Sequence, residues 1–171
     1  MTVPYRVCVI CSGNICRSPM GEVVLRESFA QAGLSDLVVV DSAGTGPWHV
    51  GEGADPRAVS TLAGAGFDGS AHRAREYDVA WLAEHDLVVV ADEGHLRTLR
   101  RWADQQGYRV GPDGDVDIRL FREFDPAAVA AGTLEIDDPY YGGQDGFDRV
   151  LAEVVSASRG VVAHVSELLA A

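Results

Sequence analysis

One continuous stretch constrains this chain more than any other. An apolar run, Val7-Cys8-Val9-Ile10, passes through the eight residues Cys11-Ser12-Gly13-Asn14-Ile15-Cys16-Arg17-Ser18 into Pro19-Met20-Gly21-Glu22-Val23-Val24-Leu25. An apolar run of this length reads as a buried strand. Ser18 before Pro19 reads as a helix start, with Ser as the cap and Pro at the first helical position, where its missing N–H costs nothing. The residues between are then a tight loop joining the carboxyl end of a strand to the amino end of a helix.

Such a loop is an anion site. The first helical turn leaves backbone N–H groups without partners, and the aligned peptide dipoles put partial positive charge there. Gly13 opens dihedrals closed to other residues. Arg17 adds a planar fork that can hold two phosphate oxygens. Cys11 stands at the rim of this positive bowl, a place that favours a sulfur anion, and Ser18 is placed to donate to it. A nucleophile and a phosphate cradle in one loop point to phosphoryl transfer through a covalent cysteine intermediate. The spacing from Cys11 to Cys16 is not that of a zinc knuckle, for no second pair of ligands follows. Nor is the loop an ATP-binding one, since GxxxxGK[ST] is absent.

The 171 residues suit one domain, 1–171, with an adequate core. No apolar run approaches the ~20 residues needed to span a bilayer. The segment Met1 to Arg6 lacks a signal-peptide layout, and the three cysteines make no disulfide framework. The expected setting is therefore the cytoplasm, with export by another route left open. Cys8, in mid-strand, reads as a small buried apolar residue. Fourteen basic against 26 acidic residues give a net charge of −12, which argues against nucleic acid as a partner. An anionic substrate must then rely on a positive field local to Arg17 and the loop amides.

Two more apolar runs, Leu37–Val40 and Leu87–Val90, alternate with helical patterns, and Asp117 to Phe121 is a plausible fourth strand. Runs apolar on both faces belong to parallel sheets covered by helices. The expected fold is thus α/β: a four-stranded parallel sheet flanked by helices, with the phosphate-binding loop after the first strand. Helices are expected from Pro19 to about Gln31, from Asp55 to Gly64 or Gly66, around Tyr77–Glu84, from Asp92 through Trp102, and from Gln144 onward. The last shows one apolar face running from Phe147 to Leu169. Asp125-Pro126 begins a turn. Ligands of such sheets bind beyond the strands' carboxyl ends. Cys11, Asp41-Ser42 and Ala91-Asp92 should converge there, covered by the Pro- and Gly-broken loop Asp137-Asp138-Pro139-Tyr140-Tyr141-Gly142-Gly143. Trp48 either lines a substrate slot or pins its Gly-rich loop to the body.

With CSGNICRSPM, DSAGT after the second strand and DPYYG before the last helix in view, the sequence resembles the low-molecular-weight protein tyrosine phosphatases, the bacterial members above all, from roughly Tyr5 to Leu168. The resemblance implies that Cys11 attacks phosphorus, that Ser12, Gly13, Asn14, Ile15, Cys16, Arg17 and Ser18 cradle the phosphate, and that Arg17 binds its oxygens through the transition state. Asp138 would protonate the leaving phenolate and then activate water. Its neighbour Asp137 competes, and the register of D-P-Y-Y selects Asp138. Asn14, Ser18, Ser42 and His72 match positions that support the loop, and Ser18 also one that steadies the sulfur anion. Trp48, Tyr140 and Tyr141 match positions that wall the cleft. The implied substrates are tyrosine-phosphorylated proteins, the implied cofactor and metal none, and the protein a monomer or weak dimer. Ser12, Glu76 and Phe124 depart from the family pattern.

Two relatives of this fold offer other chemistry. Thiol-linked arsenate reductases need further cysteines, and none follows Cys16. Arginine-phosphate phosphatases carry a smaller polar residue where Ile15 stands and typically lack the paired tyrosines. A phosphotyrosine-binding module that has lost turnover is the non-enzymatic alternative. Cys16 has a possible redox role, since peroxide could join it reversibly to Cys11; the other reading makes it a buried spacer.

Overall fold

The computed structural model describes residues 2–171. Strand β1, Tyr5–Cys11, is the hinge of the architecture, because its residues alternate between two cores. Val7, Val9 and Cys11 face one, Cys8 and Ile10 the other, as the twofold period of a strand requires. β1 pairs in parallel with β2, Val38–Gly44, on one side and with β3, Leu87–Val90, on the other; β4, Asp117–Leu120, completes the order β2-β1-β3-β4. All four strands run the same way, so their carboxyl ends share one edge, as expected from the sequence.

Helices α1, Arg17–Gln31, and α2, Pro56–Gly64, cover one face. Behind β3, α3, Glu93–Gln105, sends Leu96, Leu99 and Ala103 into the other core. A short α4, Pro126–Ala131, forms where only a turn was expected: Asp125 caps it, Pro126 opens it, and Gly132 ends it at φ 71°. The long α5, Gln144–Ala170, buries Phe147, Val150, Val154, Val161 and Val165 beside α1 and α2. Its apolar face is narrower than the sequence implies, since Leu168 and Leu169 stay exposed. Gly160 in mid-helix is there for close approach. A Cβ at that position would run into the carbonyl of Phe124, in the 3-10 turn Phe121–Phe124 that ends the fourth-strand segment one residue early.

One expectation needs correction. Ser18 is not the helix cap. Helix α1 starts at Arg17, Cys16 precedes it without a side-chain cap, and Ser18 lies inside the first turn, its hydroxyl taken by Asn14 and Cys11. Cys8 is fully buried in the second core, as expected, with a polar pair beside its thiol. Its thiol, the Asp41 carboxylate and the His85 ring lie within 4.8 Å of one another, and burial, seconded by Asp41, pushes the thiol pKa well above 9.0. His85 Nε2 meets Asp41 Oδ1 at 3.0 Å and Arg75 meets Oδ2 at 2.8 Å, so the carboxylate is already neutralised by its protein partners.

Candidate active site

The loop from Cys11 to Ser18 wraps around the sheet's carboxyl edge, and its shape is held by one buried amide. Asn14 is the one non-glycine among the described residues in the left-handed region, at φ 59°. That conformation costs about 1–2 kcal/mol, and hydrogen bonds offset it. Asn14 Nδ2 donates to Ser18 Oγ at 2.7 Å and to Ser42 Oγ at 2.9 Å, Oδ1 accepts from the Arg75 N–H at 3.0 Å, and its carbonyl meets His72 Nε2 at 2.7 Å. Ser42 and His72 thus reach the loop through hydrogen bonds to Asn14. Gly44 lies so close beneath it that a Cβ would strike the Ser12 carbonyl.

The loop carbonyls of Cys11, Ser12 and Ile15 accept from the N–H groups of Thr45, Gly46 and Asp55 at 2.9, 3.2 and 2.8 Å. Its own N–H groups, from Ser12 to Ser18, find no acceptor among the described residues. Carbonyls turned out and amides turned in make a concave anion site at the amino end of α1. At its floor Cys11 Sγ lies 2.9 Å from Ser18 Oγ.

Arg17 closes the bowl. Its side chain is 5% exposed, and Nη1 donates to Asp92 Oδ2 and to the Ile136 carbonyl, both at 2.9 Å. Nη2 is left toward the cleft, 3.5 Å from Ser12 Oγ and 3.8 Å from Asp138 Oδ2. Asp92, which caps α3 as the sequence indicates, also aims this guanidinium. Neither Asp92 nor Ile136 was recognisable as such from sequence, for both lie far along the chain from Arg17.

A cleft of about 460 Å³ opens over Cys11, with Gly13, Ile15 and Cys16 in its floor and Trp48, His49, Asp138, Tyr140 and Tyr141 in its walls. Trp48 is 68% exposed and Tyr141 89%, so both stand as a rim instead of packing inward. His49 was missed as a wall residue; its Nδ1 meets Glu52 Oε2 at 2.8 Å, which orients the ring. Asp138 lies on this cleft, whereas Asp137 faces a separate cavity beside Arg122, Arg149 and Glu153. Asp138 Oδ1 accepts from the Tyr140 N–H at 3.1 Å, which stiffens the turn. Arg57 pins that turn by donating to the carbonyls of Tyr140 and Gly142 at 3.0 and 3.2 Å, with its cation 4.6 Å from the Phe147 ring centroid.

Cys16 is buried, and its thiol is pushed up to about 12, chiefly by that burial and next by Asp55. No helix among the described residues is long and apolar enough to cross a membrane.

Comparison with known proteins places this arrangement among relatives. The family model described as low molecular weight phosphotyrosine protein phosphatase matches residues 6–170. The chain is 52% identical over 163 residues to a low molecular weight protein-tyrosine-phosphatase of Streptomyces coelicolor, covering 95% of this chain and 94% of that one. Its fold matches the crystal structure of a protein tyrosine phosphatase from Entamoeba histolytica, with Hepes in the active site, at a TM-score of 0.85 and 26% identity over 95% of this chain and 97% of the other. A Drosophila arginine phosphatase matches at 0.82, also 26% identical, over 93% and 96%.

Proposed function

This chain belongs to the low molecular weight phosphotyrosine protein phosphatases and is a hydrolase of that class; from that premise we propose that Cys11, Arg17 and Asp138 cleave aryl phosphate monoesters of tyrosine-phosphorylated proteins through a phosphocysteine. The observation that carries the reading is the meeting, in one cleft, of the Cys11 sulfur, a ring of unpartnered amides, the Arg17 guanidinium and the Asp138 carboxyl.

Cys11 Sγ attacks phosphorus in line with the ester oxygen. Ser18 Oγ accepts from Asn14 Nδ2, so its own hydrogen is free to stabilise the sulfur anion. The non-bridging oxygens move into the amide ring and onto Nη2 of Arg17, donors fixed in place before the reaction. As the S–P bond forms and the P–O bond breaks, Asp138 gives its proton to the departing phenolate. Water then attacks phosphorus, Asp138 takes its proton, and the P–S bond breaks to return the thiolate and release phosphate. Trp48, Tyr140 and Tyr141 offer aromatic walls to the ring of an aryl phosphate, and with apolar Ile15 in the lining they support the aryl ester over a phosphoarginine substrate, although a neighbour at 26% identity is named an arginine phosphatase.

The test is hydrolysis of p-nitrophenyl phosphate in chelator. Turnover by the parent is expected without added metal, and Cys11→Ser should have none. Asp138→Asn should slow phosphotyrosine more than p-nitrophenyl phosphate, whose leaving group needs less acid help. Metal-dependent turnover surviving in Cys11→Ser would overturn the mechanism.

A further inference from the structure

Ser12, His95 and the backbone of Asp92 share a hydrogen-bond pattern that takes no part in the chemistry of Cys11, Arg17 and Asp138. Ser12 Oγ lies 2.8 Å from His95 Nε2, and His95 is 5% exposed. The other ring nitrogen decides the tautomer. His95 Nδ1 accepts from the Asp92 N–H at 3.3 Å, while Asp92 Oδ1 accepts from the His95 N–H at 3.1 Å, the reciprocal bonds of a capping box at the start of α3; Oδ1 also lies 3.2 Å from Nδ1, but out of line for a hydrogen bond from the ring. Were Nδ1 protonated, the Asp92 N–H would lose the acceptor it has among the described residues. A nitrogen that accepts there leaves the ring's proton on Nε2, pointing at Ser12. Burial, the largest influence, lowers His95 to about 4, so the ring is neutral at neutral pH.

Ser12 Oγ therefore accepts from His95, and its second near neighbour, Arg17 Nη2 at 3.5 Å, is also a donor. Neither can take the Ser12 hydrogen. A hydroxyl has one hydrogen and two lone pairs, and Ser12 lines the cleft beside Cys11 and Arg17. We infer that Ser12 is a further substrate-contacting residue: with both lone pairs faced by donors, its O–H is turned into the anion cleft as a side-chain donor to a phosphoryl oxygen, and His95 is the positioning residue that turns it. This rests on the cleft being the phosphate site. It adds a donor beyond the backbone amides and Arg17, at a position where the sequence departs from the family pattern, and it gives the buried ring of His95 work besides capping α3.

The experiment compares inorganic phosphate affinity by calorimetry, and vanadate inhibition of p-nitrophenyl phosphate turnover, in the parent, Ser12→Ala, Ser12→Thr and His95→Gln. Gln suits the capping box, so this variant keeps an acceptor for the Asp92 N–H while withdrawing Nε2 from Ser12. Removing one hydrogen bond to a charged ligand should weaken vanadate about ten-fold and phosphate about five-fold in Ser12→Ala. Ser12→Thr, which keeps the hydroxyl, should stay within about two-fold of the parent. His95→Gln should lose part of the same factor and add nothing to Ser12→Ala, as residues acting through one contact do. Phosphate and vanadate both within two-fold of the parent in Ser12→Ala would overturn the inference. So would an equal loss in Ser12→Thr, or losses for Ser12→Ala and His95→Gln that simply multiply. Failure of the enzyme reading would show differently, as a parent without turnover. Phosphate affinity still reads Ser12 in that case.

Discussion

Arg17 is joined to Asp92 by an ion pair of 2.9 Å between Nη1 and Oδ2, and the same carboxylate caps helix α3 through Oδ1. One side chain thereby fixes both a helix start and the aim of the phosphate-binding guanidinium. Its pKa lies below the ordinary carboxylate value because His95 and Arg17 outweigh burial, the largest single influence, which acts the other way.

Asp92→Asn separates these two duties. Asn is a good helix cap, so thermal stability should fall by no more than about 1 kcal/mol. The charged partner of Arg17 is gone, however, and kcat/KM for p-nitrophenyl phosphate should drop at least about ten-fold, equivalent to about 1.4 kcal/mol. Steady-state kinetics beside a thermal melt measure both, and an unchanged kcat/KM would show that the Ile136 carbonyl suffices to aim the guanidinium.

The buried, neutral His95 sets an acid limit on stability. Its pKa is 6.5 in an unfolded chain and about 4 in the folded one, so below pH 6.5 the unfolded state binds a proton that the native state refuses. Stability should therefore hold above pH 6.5 and decline as the pH falls through about 4, by roughly 3 kcal/mol at most from this residue. His72, also lowered by burial, adds a decline of the same sign. Urea unfolding of parent and His95→Gln from pH 7 to pH 4 checks this. The variant should show a shallower decline, and identical slopes would remove His95 as the cause.

We propose that Cys16 protects Cys11. With its thiol held protonated up to about 12, Cys16 is the poorer nucleophile, and peroxide should oxidise Cys11 first. The Cys11 sulfenic acid then condenses with the Cys16 thiol, forming an S–S bond and releasing water. Peroxide-treated parent should regain activity in dithiothreitol, whereas Cys16→Ala should remain inactive and carry sulfinic acid on Cys11 by mass spectrometry. Full thiol recovery of Cys16→Ala would make Cys16 a spacer.

The anion loop was readable from sequence because everything that makes it one is contiguous: Cys11, the small Gly13, Arg17 and a helix start within a single turn of chain. The parallel sheet was equally plain, since Val7–Ile10 and Leu87–Val90 are apolar at every position and are covered on both faces. Errors arose where a local signal met a distant partner. Ser18-Pro19 looks like a cap and first turn, yet the Ser18 hydroxyl is committed to Cys11 and Asn14, and the helix begins two residues earlier, at Arg17. The second apolar run marks only part of β2, because Asp41 to Gly44 continue to pair with Cys8 to Cys11 although Asp41 and Ser42 break the apolar pattern.

By itself the sequence determined the covalently adjacent part of the site and the order of strands and helices that puts it at a sheet edge, since periodicity and helix-end chemistry act within a few residues. The groups that complete it come together through long-range packing. Asp92 and the Ile136 carbonyl aim Arg17, and His95 turns Ser12. These contacts join residues 75 to 119 positions apart. Directional hydrogen bonds of that kind exist only once the two cores have packed and brought the strand ends together, so no local pattern encodes them.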